Sequence, residues 1–98
     1  MVNIEIDQHN LERLCRRHHI RRLALFGSVL RDDFSDSGDV DVLVEFEPEH
    51  VPGLKFFEIE QELSELIGHE VDLNTPGFLS RYFRDDVLEH AAVQYDAA

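Results

Sequence analysis

A single cysteine, Cys15, leaves this 98-residue chain no disulfide to form within itself and no thiolate zinc site. Cys15 falls at a core-facing helical position and is expected to be a buried small hydrophobe. Basic residues are also scarce, nine Lys and Arg against 21 Asp and Glu, for a formal net charge of −12. That balance disfavours direct nucleic-acid binding, which needs cations to replace the counterions along phosphates. Five of the nine, Arg13, Arg16, Arg17, Arg21 and Arg22, fall within ten positions. They read as one exposed helix face and its exit, or as a docking patch for an acidic partner or a nucleotide's phosphates. No apolar run is long enough to span a membrane, and the start, "MVNIEIDQHN", lacks the basic flank and apolar stretch of a signal peptide. The expected setting is a reducing cytoplasm.

What is present is enough for one modest core. With 43% hydrophobic residues, the chain is read as a single folded domain over residues 1–98. No second domain remains to hold a bulky acceptor, which another chain would have to supply. Leu11, Leu14, Cys15 and His18 follow helical spacing and predict a helix from about Asp7 to His19, capped by Asp7 or Asn10. "RLALF" reads as a short buried strand that ends abruptly at Gly27-Ser28, with a short helix expected from Ser28 to Asp33. "FSDSG" is a turn by composition. "DVDVLVEF" is a second strand, with Val40, Val42, Val44 and Phe46 on one face and Asp39, Asp41, Leu43 and Glu45 on the other. Phe56, Ile59, Leu63, Leu66 and Ile67 predict a helix from about Leu54 to Ile67, closed by Gly68. "EVDLN" is a third strand, with Asp72 opposite Val71 and Leu73. Short helical segments are expected after Pro76 and near Asp85 to Ala91, and "VQY" reads as an added edge strand. The fold class is α/β (α+β), a short mixed sheet flanked by helices.

Chemistry concentrates in "FGSVLRDDFSDSGDVDVLVEF". Asp39 and Asp41, two apart on a strand, share a face, and Asp72 on the next strand can join them. Each carboxylate pair at ~4–5 Å repels by about 3–4 kcal/mol at an effective dielectric of 20. A small domain has only ~5–10 kcal/mol of stability to lose, so the repulsion calls for a cation. Mg²⁺ suits oxygen ligands and completes its shell with substrate phosphates. Gly27 allows close backbone approach to a phosphate, and a helix beginning at Ser28 offers free N–H groups. Two Mg²⁺ ions bridging a hydroxyl and an α-phosphate would make a site for phosphoryl or nucleotidyl transfer, with Asp72 orienting or deprotonating the hydroxyl. At this chain's residue frequencies, Gly-Ser, ten residues, Asp-x-Asp arises by chance in roughly two of a thousand such chains.

This stretch resembles the motif of the nucleotidyltransferase superfamily, and "EVDL" resembles its later strand with a third carboxylate. The chain's size and its ending, "EVDLNTPGFLSRYFRDDVLEHA", resemble the minimal nucleotidyltransferases, from about Leu11 to Tyr95. The resemblance implies a Mg²⁺-dependent enzyme with ATP as donor that serves as an antitoxin. Its cognate partner would be a HEPN-domain toxin, silenced when AMP is transferred to one of its hydroxyls, a tyrosine. Carried over residue by residue, Gly27 and Ser28 match the phosphate-contacting pair. Asp39 and Asp41 match the metal ligands, and Asp72 the third carboxylate. Arg31 matches an arginine that contacts the triphosphate, with a surface salt bridge to Asp32 or Asp33 as its alternative. Gly38 stands where the family often has serine, and Asp32 where glycine is frequent.

Two further readings stay open beside this one: an antitoxin that acts by occlusion without catalysis, and transfer to a small molecule, which the lack of an acceptor-binding domain weakens. The six histidines show no ligand spacing and are expected to be solvated or packed. Phe56-Phe57 is assigned to core and partner interface. "RYFRDD" is either a docking segment or a core-covering helix.

Overall fold

The computed structural model describes residues 4–31, 34, 38–79, 81–82 and 84–97. Helix α1 spans Gln8–Arg17. Of the two candidate caps Asp7 serves, its Oδ1 accepting from the Asn10 backbone N–H at 3.1 Å. The helix stops two residues before the expected His19. Arg16 and Arg17 occupy its last turn, and His19 adopts a left-handed backbone (φ 57°) that turns the chain directly into strand β1, Ile20–Phe26.

Strand β1 is central. It pairs antiparallel with β2 (Val40–Phe46) on one side and with β4 (Ala92–Asp96) on the other, so "VQY" lies within an edge strand as expected. Strand β3 (Val71–Asn74) runs parallel to β2, giving the order β3-β2-β1-β4. A parallel pair needs a long crossover. Helix α2, Lys55–Ile67, supplies it and ends at Gly68, whose φ of 80° needs no Cβ and whose N–H reaches the Ser64 carbonyl at 2.9 Å.

The core lies between the two helices and one sheet face. Leu11, Leu14 and Cys15 of α1 and Ile59, Leu63 and Ile67 of α2 cover Leu23, Leu25, Val40, Val42, Val44, Val71 and Leu73. Burial pushes the Cys15 thiol up to about 12, as befits an inert packing residue. Alternation sends Asp41, Leu43 and Glu45 to the opposite face, and a short 3₁₀ turn, Pro76–Phe78, packs on β2. The last helix, α3, spans Arg84–His90, one residue earlier than expected. The helix expected over Ser28 to Asp33 is instead a four-residue 3₁₀ turn, Gly27–Leu30, and Asp32 and Asp33 lie outside the described residues. Among the described residues no helix is long and apolar enough to cross a membrane.

Candidate active site

One end of the sheet gathers the sequence-predicted residues. Phe26, the last residue of β1, pairs with Asp41 on β2, and Asp41 pairs with Asp72 on β3. Three adjacent strands therefore deliver Gly27, Asp41 and Asp72 to one level. Gly27 has φ 76°, and a Cβ there would overlap the Asp41 carboxylate, with Asp41 Cγ 3.2 Å away. Only glycine both takes that backbone and leaves Asp41 where it is. Ser28 Oγ donates to the Asp39 carbonyl at 3.5 Å, a long bond that ties the turn to the residue entering β2. Asp39 and Asp72 are exposed, and Asp41 is half-buried.

The charges follow from this placement. Burial pushes the Asp41 carboxyl above its ordinary value, Asp72 and Asp39 push it the same way, and Arg31 pulls it down. Asp39 and Asp72 are thus close enough for Asp41 to feel both, as it feels Arg31. The partners proposed for Arg31 in a surface salt bridge, Asp32 and Asp33, lie outside the described residues. Converging carboxylates are a hard-oxygen donor set, which fits Mg²⁺. Asp39, Asp41 and Asp72 would hold it.

Two residues that sequence reasoning passed over fix Asp72. Strand β3 is an edge, and its outward N–H groups need partners. The Val71 N–H donates to Ser64 Oγ at 3.0 Å and the Leu73 N–H donates to Glu60 Oε2 at 2.9 Å, so α2 clamps β3 on both sides of Asp72. The available signal was a serine and a glutamate one turn apart, beside the buried Ile59, Leu63 and Ile67. Asp72 also forms part of the wall of an apolar groove of about 480 Å³ lined by Val51, Pro52, Phe56 and Phe57. The phenylalanine pair divides as expected between core and surface. Phe56 packs against the core and stands 6.5 Å from the Phe46 ring, while Phe57 is 65% exposed. Tyr82 is exposed, and Phe83 lies outside the described residues. His19 and His50, expected to be solvated or packed, are both exposed and stack on each other with ring centroids 3.7 Å apart.

Comparison with known proteins gives a consistent picture. The nucleotidyltransferase-domain family matches residues 9–93. The chain is 37% identical to a candidate protein adenylyltransferase of Methanocaldococcus jannaschii over 79 residues, 78% of each chain. It is 43% identical over 61 residues to the protein adenylyltransferase MntA of Thermococcus cleftensis, covering 61% of this chain and 60% of that one. Among solved structures, a candidate minimal nucleotidyltransferase superposes with a TM-score of 0.70 at 32% identity, covering 86% of this chain and 85% of that one. A toxin–antitoxin structure with AMP-PNP superposes with a TM-score of 0.72 over 93% of this chain and 74% of that one. At 18% identity the latter speaks for the fold alone.

Proposed function

The chain belongs to the nucleotidyltransferase-domain family, and from that premise we propose that it is an antitoxin that transfers AMP from ATP to a tyrosine hydroxyl of a HEPN-type toxin. The toxin–antitoxin part of the reading is supported by structural neighbours described as MntA–HepT and as a tri-AMPylated Shewanella oneidensis HEPN toxin with its MNT antitoxin. The observation that carries the chemistry is the pairing of Asp41 with Asp72 on adjacent strands, with Gly27 seated against Asp41.

Asp39, Asp41 and Asp72 would hold Mg²⁺, which when bound offsets the negative charge of the triphosphate and of the transition state. Gly27 leaves room for phosphate beside Asp41, and Ser28 and Arg31 flank that space as donors. The acceptor oxygen forms a bond to the α-phosphorus, the bond to the bridging oxygen breaks, and pyrophosphate leaves. The hydroxyl proton passes to the Asp72 carboxylate. An apolar groove with Asp72 in its wall suits an acceptor whose hydroxyl sits on a ring. The enzyme needs a bound partner for this, because the groove is open to solvent and the acceptor must be held at a fixed distance.

A second reading, neutralisation by occlusion, draws on exposed apolar residues: Val51 is 71% and Leu54 86% exposed, next to Phe57. Incubation with labelled ATP, Mg²⁺ and a cognate HEPN-type toxin separates the two. Label on a toxin tyrosine, absent when EDTA is present from the start, is the expected result. A silenced toxin carrying no label would leave occlusion as the function.

A further inference from the structure

Far from the carboxylates, at the exit of α1, three side chains from two segments meet. The Glu47 N–H donates to the His19 carbonyl at 3.0 Å, and the His50 N–H donates to the Glu47 carbonyl at 2.9 Å. The first bond holds the loop after β2 against the start of β1, and the second closes the loop into a turn. As a result, a ring nitrogen of His19, a carboxylate oxygen of Glu47 and a ring nitrogen of His50 all lie within 4.8 Å of one another. The two imidazoles stack at 3.7 Å with an interplanar angle of 12°. Each is exposed, so its ring is free to turn.

We propose that His19, Glu47 and His50 form a binding site for Zn²⁺, separate from the Asp39, Asp41 and Asp72 centre and independent of the function proposed above. Two imidazoles, borderline nitrogen donors, joined by one carboxylate make a ligand set that favours Zn²⁺ over Mg²⁺. Donors around a tetrahedral zinc lie about 3.4 Å apart, since each bond is about 2.0–2.1 Å. Reaching that spacing requires the two rings to rotate out of their stack, with no backbone change. Three protein ligands leave the fourth position to water or to a partner's side chain. His19 has a left-handed backbone and its ring lies against the loop's His50. Zinc would tie residues 47–50 to β1, and the same loop continues into Val51, Pro52 and Gly53, which line the groove beside Asp72. The ion would thus stiffen one wall of the groove.

Tag-free protein titrated calorimetrically with ZnCl₂ provides the test, with thermal melts and far-UV circular dichroism alongside. The expected result is one tight Zn²⁺ per chain, insensitive to excess Mg²⁺, and a raised Tm. His50→Ala and His19→Asn should each weaken binding by at least roughly tenfold and remove the Tm rise. Asparagine tolerates a positive φ, so His19→Asn removes the ligand while the backbone stays, as the unchanged dichroism would show. Asp41→Asn should leave zinc affinity unaltered. The proposal is overturned if both histidine variants bind as tightly as the parent, if Asp41→Asn abolishes binding, or if no binding is detected up to about 100 µM Zn²⁺.

Discussion

Asp41 and Glu62 are both acids beside other charges, yet their surroundings act in opposite directions. Glu62, on α2, sits between Arg17, the last residue of α1, and His18, which caps that helix, each 2.7 Å from its Oε2. Burial pushes its carboxyl up, but the hydrogen bonds and charges of His18 and Arg17 outweigh that and hold it below its ordinary value. At Asp41, burial and two other carboxylates push the same way, and Arg31 only partly opposes them. The first acid joins two helices. The second keeps a repulsion that folding does not require, as the metal-binding role proposed for it would explain. In a chain with 21 acids, the neighbours of each carboxylate and not the number of acids distinguish surface from site.

Substitutions at the two positions should separate most widely in transfer rate. Asp41→Asn should slow AMP transfer by at least about a hundredfold, as loss of charge stabilisation in a transfer site does. Glu62→Gln should stay within about twofold, since an exposed ion pair contributes little. Equal losses in single-turnover labelling would erase the distinction between site and surface.

Gly27→Ala comes next. The positive φ costs about 1–2 kcal/mol for a residue with a Cβ. In a domain of this size that is a fall in Tm of about 5–15 °C by calorimetry. The overlap falls on the end of a flexible side chain, so Asp41 yields first and the core stays intact. ATP–Mg²⁺ affinity should therefore drop further than Tm alone explains. Unaltered affinity in the folded variant would move the phosphate-binding place away from this turn.

Stability against pH sharpens the contrast without any partner. Asp41, raised in the folded protein above its ordinary 3.8, binds a proton more readily folded than unfolded. Metal-free protein should gain stability from this group as pH falls through that raised value, and lose it as pH rises. Asp41→Asn should abolish this slope and melt no lower than the parent at neutral pH without metal. Denaturant titrations across mildly acidic pH provide the check, and a variant clearly less stable than the parent would make Asp41 a structural residue.

The smallest effect is expected at Glu62. Its lowered carboxyl contributes stability that is present above its ordinary 4.5 and lost as pH falls through the folded value. Glu62→Gln should cost about 0.2–1 kcal/mol at neutral pH, screened by salt, and nothing once Glu62 is protonated in both states. A penalty that persisted at low pH would mean that packing, not charge, holds the two helices there.

The features legible in the sequence were those with short-range causes. Helix α2 was bounded to within a residue because Gly68 marks its end and Ile59, Leu63 and Ile67 mark its face. Strand alternation put Asp39 and Asp41 on one face and allowed Asp72 to join them, and the parallel register sets Asp41 beside Asp72. The extent of the turn after Gly27 was misjudged, because a 3₁₀ turn and the start of a helix share their first residues. The bonds from Ser64 and Glu60 to β3 and the stack of His19 on His50 were out of reach. Each joins residues whose proximity depends on how the loops close, and no local pattern encodes that.

The clamp of α2 on β3 also bears on how the folded chain meets other chains. A sheet margin with unmatched amides invites a foreign strand to extend it. On the β3 side the Val71 and Leu73 amides are already engaged, so an incoming strand would have to displace Ser64 and Glu60 first. On the β4 margin Val93 is 49% exposed, and the contact from α1 recorded there, Gln8 to Gln94, is between side chains. Strand-to-strand aggregation of the folded protein should therefore begin along β4, leaving the side that holds Asp72 accessible even in a crowded cell.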